Sequence, residues 1–174
     1  MKNYKPTSPS IRQKTTVDYS SLSSTEPWKP LLKSVKKHSG RNFQGRITVR
    51  HQGGGNKKTY RLIDFKQNKL DIPAKVETVE YDPFRTCFIA RIVYQNGERA
   101  YILAPVNLKK GDTIVASENA PLRDGNRLML KNVPVGYFVH NVELQPGKGG
   151  QLVRSAGNSA QVIAQVAANG KENK

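Results

Sequence analysis

The sequence lacks the features on which secreted and membrane proteins depend. Cys87 is the only cysteine among the 174 residues, so no internal disulfide can form. No apolar run reaches the roughly 18 residues that a membrane-spanning helix needs, and no apolar segment typical of a signal peptide occurs. Hydrophobic residues make up 36% of the chain, so we expect a modest core. These absences argue against a disulfide scaffold and against a membrane partner.

Acidic residues are scarce, and their scarcity is uneven. The formal net charge is +16, and residues 1–72 hold 16 Lys and Arg against four Asp and Glu. Residues 73–174 hold 13 basic and nine acidic residues, which is closer to balance. A cationic segment without carboxylates needs a polyanion outside the chain. The charge therefore predicts binding to nucleic acid first and to an anionic membrane surface second.

The sequence shows no constellation of catalytic or metal-ligating residues. The candidate soft ligands form no C-x-x-C or H-x-x-x-H pair and stand far apart: Cys87, His38, His51 and His140. We interpret Cys87 as an inert thiol inside an apolar strand and His140 as a structural histidine. No nucleophile elbow or clustered carboxylate pair is found. We therefore expect no enzyme, no metal and no cofactor.

A glycine loop at 146–150 contains the pair Gly147-Lys148. It lacks the earlier glycine and the following Ser or Thr of a nucleotide-binding P-loop, which excludes that motif. Two interpretations stay open. Lys148 and the backbone amides could reach a phosphate, or the segment is an ordinary hairpin loop.

Short alternating segments separated by turn residues predict an all-β protein. Asn96-Gly97 is a strong hairpin motif, and it separates predicted strands at 86–94 and 99–103. Spacings of 8–12 residues indicate a small barrel, and the pattern restarts near Asp124-Gly125-Asn126. After that point only three strands are predicted, so the second barrel is incomplete and its last strand has an unpaired edge. The other predicted strands are 45–50, 60–65, 75–81, 113–115, 128–130, 137–144 and 161–166.

Residues 1–40 show no hydrophobic periodicity, and their prolines interrupt helices. They predict an extended basic arm that is disordered when alone. Trp28, Leu31 and Leu32 could anchor a short segment of it on a neighbour. A flexible linker without a role is the alternative.

The stretch 39–61 carries the densest cations of the chain, with no acid before Asp64. Within it, Arg46 and Thr48 are predicted on one strand face, and three successive glycines permit close approach to another surface. Phe43, His51 and Tyr60 could stack on unpaired bases, although Phe43 and Tyr60 could equally pack in a core. The candidate RNA-binding residues are Arg41, Arg46, Arg50, His51, Gly53, Gly54, Gly55, Lys57, Lys58 and Arg61, followed by Lys148 and Arg154. A solvated cationic surface is the alternative.

The sequence also resembles a known family along nearly its whole length, to about Ala164. The matching motifs are Lys5-Pro6-Thr7-Ser8-Pro9, Gly40-Arg41-Asn42, Gly45-Arg46-Ile47-Thr48, Arg50-His51, Gly53-Gly54-Gly55, Tyr60-Arg61, Asp64-Phe65-Lys66, Glu80-Tyr81-Asp82-Pro83, Gly97-Glu98-Arg99, Tyr101-Ile102-Leu103-Ala104-Pro105, Pro134-Val135-Gly136, Val139-His140-Asn141-Val142-Glu143, Pro146-Gly147-Lys148-Gly149-Gly150-Gln151-Leu152 and Arg154-Ser155-Ala156-Gly157. With these motifs the chain resembles the large-subunit ribosomal protein L-two family of bacterial and organellar type.

The resemblance implies a basic N-terminal arm, an OB-fold barrel, an SH3-like barrel and a basic C-terminal extension. It implies a structural protein that binds large-subunit rRNA, contacts other ribosomal proteins, and supports assembly and subunit association. We divide the chain accordingly into four parts: an rRNA-binding arm at 1–59, an OB-fold barrel at 60–124, the start of an SH3-like barrel at 125–167 and a polar tail at 168–174.

The family pattern stops inside the second barrel. We therefore expect either a fragment or a split protein, with a second polypeptide that carries the missing C-terminal half. Splitting resembles some mitochondrial versions, so the expected location is a ribosome of the mitochondrial matrix, with an organelle-encoded chain. A plastid or a bacterial cytoplasm is the alternative location. A free-standing OB-fold module that binds single-stranded nucleic acid is the alternative function.

Overall fold

The computed structural model describes residues 1–23, 25–166 and 172–173. Within these ranges the regular structure is β-strand with two single-turn 3-10 helices at Lys29–Leu31 and Leu130–Asn132, and no helix is long and apolar enough to cross a membrane. In chain order the strands are β1 (Lys2–Asn3), β2 (Thr15–Thr16), β3 (Leu32–Ser34), β4 (Thr59–Arg61), β5 (Ala74–Glu80), β6 (Ile89–Tyr94), β7 (Arg99–Leu103), β8 (Thr113–Ile114), β9 (Phe138–Val139), β10 (Ala160–Gln161), β11 (Gln165–Val166) and β12 (Glu172–Asn173). The predicted polar tail at 168–174 lies mostly outside the described residues.

The largest sheet has four antiparallel strands in the order β7-β6-β5-β8. The predicted Asn-Gly hairpin joins β6 to β7, since the Gly97 amide donates to the Tyr94 carbonyl at 2.8 Å and Gly97 has a φ of 82°. In β5 the register shifts between Val76 and Thr78, and such a bulge bends a strand. The sheet curls into half a barrel, as expected for an all-β protein with an OB-fold barrel and an SH3-like barrel. The predicted fold class is confirmed.

The core lies on the inner face of this sheet. Its largest fully buried side chains include Val76 of β5, Ile92 of β6 and Ile102 of β7. Burying one side chain of this size contributes about 1.5–3 kcal/mol. The segment near residue 125, where the second predicted barrel begins, packs on this core. A Cβ on Gly125, whose φ is +92°, would lie 2.9 Å from the Ile114 side chain. Glycine at this position lets the chain cross directly over β8.

Part of the N-terminal arm belongs to the fold. The Ser23 amide donates to the Val79 carbonyl at 2.9 Å, so the arm pairs with the part of β5 that β8 does not cover. The Trp28 amide donates to the Tyr101 hydroxyl at 2.9 Å, and the Trp28 ring lies 4.4 Å from the Arg99 guanidinium. Strand β3 then pairs with β4. Trp28 therefore anchors the arm on the chain's own sheet.

Several predicted strands are wrong or shorter than predicted. Residues 45–50 form no strand, and Ile47 makes only an isolated bridge to Arg41. The alternation there has no neighbouring strand to pack on, so Ile47 stays 64% exposed. The predicted strand at 137–144 is reduced to β9 and a bridge between Val142 and Leu152. Residues 128–130 form no strand, since a 3-10 turn begins at Leu130.

Cys87 does not lie inside a strand, because β6 begins two residues later. Its side chain is half-buried, and burial raises the pKa of the thiol. A raised pKa lowers the thiolate fraction, which agrees with the interpretation of Cys87 as an unreactive thiol.

Candidate nucleic-acid interface

The first cationic element is a closed loop at residues 40–49, here called the arginine loop. The carbonyl of Gly40 accepts hydrogen bonds from the amides of Thr48 at 2.9 Å and Val49 at 3.1 Å, which closes the base of the loop. Gly40 has a φ of +70°, and a Cβ there would lie 2.1 Å from the Val49 carbonyl oxygen. A side chain at residue 40 is therefore incompatible with this closure.

Asn42 organises the tip of the arginine loop. Its Oδ1 accepts hydrogen bonds from the amides of Gln44 and Arg46, both at 3.0 Å. Its backbone amide donates to the Arg46 carbonyl at 2.9 Å, and its carbonyl accepts from the Gly45 amide at 3.0 Å. Asparagine is well suited to this position because its short side chain mimics a turn of backbone. The chain's own hydrogen bonds therefore define the shape of the tip.

The cations of this loop, and Arg50 directly after it, face solvent. Arg41, Arg46 and Arg50 are all exposed, and none forms an ion pair with any residue in the described part of the chain. Arg41 donates only to the Ser39 carbonyl, at 3.3 Å. Three unpaired guanidinium groups on one short segment repel each other unless an anion lies between them. The phosphate contacts of these three side chains stay a prediction.

The glycine segment follows at residues 51–58. His51 is exposed and has a φ of 64°, in the left-handed region. Nothing lies within 4 Å of a Cβ built on Gly53 or Gly55, so their backbone is open to close approach. Gly54 is fixed by a hydrogen bond, because Lys37 Nζ donates to its carbonyl at 3.0 Å.

The lysines that end this segment differ in their contacts. Both side chains are exposed. Lys58 Nζ donates to the Pro83 carbonyl at 3.4 Å, which brings it beside the turn between β5 and β6. Lys57 continues the exposed cationic surface of the glycine segment.

Arg61 is placed differently from the other predicted cations. It is half-buried on β4, where its Nη1 donates to the Thr59 carbonyl at 3.0 Å. It lines a cleft of about 510 Å³ between the arm and the sheet, together with Glu80 and Tyr81. Its Nε is buried and has no hydrogen-bond partner in the described part of the chain. Arg61 therefore faces the junction of arm and sheet, whereas the arginine loop faces solvent.

A second cationic element, here called the arginine–aromatic cluster, forms around the turn that precedes β6. It comprises Tyr60, Phe65, Phe84, Arg85 and Arg154. Arg85 donates to the Tyr60 hydroxyl at 2.7 Å and forms an ion pair with Asp82. The Arg85 and Arg154 guanidinium carbons lie 5.8 and 4.8 Å from the centre of the Phe65 ring. Arg154 is exposed, whereas the Arg85 side chain is only 15% exposed.

Arg85 was not among the residues predicted from the sequence. Nothing in the local pattern distinguishes it, because its partners Tyr60 and Phe65 lie 20 or more residues away. Tyr60 was predicted either to stack on bases or to pack in a core. Its ring lies 5.4 Å from that of Phe84 and its hydroxyl binds Arg85, so it packs within the chain.

The glycine loop at 146–150 binds a carboxylate of the chain itself. Glu143 accepts hydrogen bonds from the amides of Gly147 at 2.7 Å and Gly149 at 2.9 Å, and it pairs with Arg127. The Gly150 amide donates to the Phe65 carbonyl at 3.0 Å. The prediction that these amides reach a phosphate is therefore wrong, because internal acceptors already occupy them. The side chain of Lys148 is exposed.

Burial raises the pKa of Glu143, but the Gly147 amide, the Arg127 charge and the Gly149 amide outweigh that effect, so its pKa lies below the usual value. Glu143 is therefore an ionised organiser of the loop. Over the described ranges, no group of three or more His, Cys, Asp or Glu side chains could hold a metal ion.

Two family models match the chain. The one described as Ribosomal Proteins L2, RNA binding N-terminal domain, matches residues 28–116, which is more than half of the chain. The one described as Ribosomal Proteins L2, C-terminal domain, matches residues 123–173. The arginine loop, the glycine segment and Arg85 lie within the first match. Lys148 and Arg154 lie within the second.

Proposed function

Because the chain belongs to the ribosomal protein L2 family, a family of structural RNA-binding proteins of the large ribosomal subunit, we propose that it holds large-subunit rRNA with two separate cationic elements. The arginine loop and the glycine segment form the first contact. The exposed face of the arginine–aromatic cluster, with Lys148, forms the second. The chain acts by binding and not by catalysis.

The observation that carries this proposal is the unbalanced charge of the first contact. Between Glu26 and Asp64 the chain holds ten Lys and Arg and no acid, and most of these cations are exposed. Each cation that neutralises a phosphate releases a counterion, which drives association and makes it dependent on salt. Phosphate contacts position a protein on RNA, whereas folded RNA is recognised mainly by its shape. The residues proposed to contact RNA are Arg41, Arg46, Arg50, His51, Gly53, Gly54, Gly55, Lys57 and Lys58, together with the half-buried Arg61 at the junction of arm and sheet.

The second contact depends on Arg85 as a positioning residue. Arg85 is largely buried, and it joins Tyr60, Asp82 and Phe65 into one unit. Arg154 lies over the Phe65 ring of this unit and is exposed, so its guanidinium can fork onto phosphate oxygens. Residues of both matched domains thereby contribute to one RNA surface.

The chain further contributes to particle assembly and subunit association, and a second polypeptide covers the apolar surface around β9 and β10. Support comes from the exposure of Phe138, Leu144 and Ile163, which are 69%, 63% and 83% exposed. Large apolar side chains that stay exposed are typical of interaction sites. The location proposed is the ribosome of a mitochondrial matrix, supported only by the resemblance to split mitochondrial versions, with a plastid or a bacterial cytoplasm as alternatives.

The direct test is a binding competition. The full chain is mixed with protein-free large-subunit rRNA and challenged with excess small-subunit rRNA or with single-stranded poly(U). Retention on large-subunit rRNA supports the proposal. Equal displacement by poly(U) would instead support a free-standing OB-fold module for single strands, and no binding to any RNA would contradict both functions.

A further inference from the structure

Phe43 is an aromatic side chain with almost no cover from its own protein. It is 94% exposed, at the tip of the arginine loop. Core packing, one of the two roles that the sequence left open, is therefore excluded. A fully exposed phenyl ring gains nothing from the hydrophobic effect until another surface covers it. This ring is thus available to a partner.

Hydrogen bonds within the chain itself define the backbone conformation around Phe43. Asn42 precedes it and binds the amides of Gln44 and Arg46, while Gly45 adopts a φ of +79° that suits glycine. The loop base is closed at Gly40. A ring presented on such a tied turn loses little conformational freedom on binding. The arrangement is therefore suited to insertion into a partner surface.

The charges around Phe43 indicate the chemistry of the partner. Arg41 precedes it and Arg46 follows it in the loop, both exposed, and no acid occurs in residues 27–63. A partner that fits must offer negative charge on both sides of an apolar face. An unpaired nucleotide in RNA has this composition, because its base has an uncovered π-face and its flanking phosphates are anionic.

We propose that Phe43 stacks on an unpaired nucleobase of large-subunit rRNA, while Arg41 and Arg46 bind the phosphates on either side of that base. This inference rests on the proposed function and deepens it. Bases inside a continuous helix have both faces covered by their neighbours, so the target is a loop, a bulge or a strand end. The ring adds affinity without reading sequence, since every base has a π-face.

The test uses the full chain and protein-free large-subunit rRNA. Loss of one base–aromatic stack lowers affinity by roughly tenfold, so Phe43→Ala should weaken binding by about that factor. Phe43→Trp should bind as well as the wild type. Its indole fluorescence, taken as the difference from wild type because Trp28 also emits, should be quenched by the RNA. Val106→Ala, at a fully exposed apolar residue between β7 and β8, is the matched control and should leave affinity unchanged.

Chemical probing gives the second readout. With Phe43→Ala, the reactivity of one or two adjacent unpaired nucleotides should rise, while the remaining footprint stays as in the wild type. An affinity within twofold of wild type together with an unchanged footprint would overturn the stacking role and leave the proposed RNA binding intact. An effect of Phe43→Ala only on association with another ribosomal protein would assign the ring to a protein partner and also overturn it. Failure of the wild type to bind the RNA would instead contradict the proposed function.

Discussion

The guanidinium carbon of Arg154 lies 4.8 Å from the centre of the Phe65 ring. One of these residues belongs to the segment that matches the family's C-terminal domain, and the other to the segment that matches its RNA-binding domain. The hydrogen bond from the Gly150 amide to the Phe65 carbonyl joins the same two segments. The exposed guanidinium is therefore held at a fixed place on the surface of the first segment.

Arg154→Ala should weaken binding to large-subunit rRNA and lower the slope of log affinity against log salt by about 1, because one phosphate contact is lost. Arg154→Lys should keep the salt slope but recover only part of the affinity, since an ammonium group neither forks onto a phosphate nor stacks as a planar group. Filter binding over a salt series measures both quantities. Equal affinities for the wild type and Arg154→Ala at all salt concentrations would remove Arg154 from the interface.

Arg50→Ala combined with Lys57→Ala should flatten the salt slope by roughly 1–2, because both side chains are exposed cations without ion-pair partners in the described part of the chain. The matched control is Lys109→Ala with Lys110→Ala, which removes the same charge from the exposed turn before β8. We expect the control to keep the wild-type slope. A flattening of equal size in both double variants would show that binding depends on net charge alone.

Gly40→Ala should open the arginine loop. The new Cβ would lie 2.1 Å from the Val49 carbonyl oxygen, and alanine at a φ of +70° is strained by about 1–2 kcal/mol in addition. Hydrogen exchange at the Thr48 and Val49 amides should become faster, and RNA affinity should fall. Gly45→Ala is the control, since its φ of +79° carries the same strain but no atom lies within 4 Å. If both variants protect these amides equally, the contact at Gly40 does not close the loop.

Glu143 makes the stability of the fold depend on pH. Its pKa in the folded state lies below the ordinary 4.5, so its ionised form stabilises the fold above about pH 4.5. That contribution is lost as the pH falls through the lowered pKa. Glu143→Gln should therefore lower the melting temperature at neutral pH and reduce the loss of stability on acidification. Parallel curves of melting temperature against pH for the two proteins would contradict this role.

Local sequence patterns predicted the hairpin between β6 and β7, because Asn96-Gly97 dictates the turn and both flanking strands are rich in residues that become buried. The alternation of polar and apolar residues at 45–50 predicted a strand that does not exist. Alternation shows which side chains could lie on the same face of a strand. A strand also needs a neighbouring strand whose carbonyls accept hydrogen bonds from its amides. Here the Gly40 carbonyl and the Asn42 side chain bind those amides first.

The candidate site likewise contains residues that the sequence predicts and residues that only the fold brings together. The cations of 41–58 could be predicted because their lack of acids is a property of the sequence alone. Arg85 could not be predicted, since its role depends on contacts with Tyr60 and Phe65 that only the fold creates. For the amides at 147–150 the sequence left phosphate contact and an ordinary hairpin loop open, because it does not show that Glu143 accepts hydrogen bonds from the Gly147 and Gly149 amides.

The central claim is that this chain is a resident RNA-binding component of the large ribosomal subunit. Sucrose-gradient sedimentation of the endogenous, full chain after a high-salt wash tests it most directly, because a high-salt wash removes proteins held only by loose charge attraction. We predict that the chain stays with the large-subunit peak in amounts comparable to other large-subunit proteins. Recovery of the chain only in the free fraction at the top of the gradient would contradict the claim.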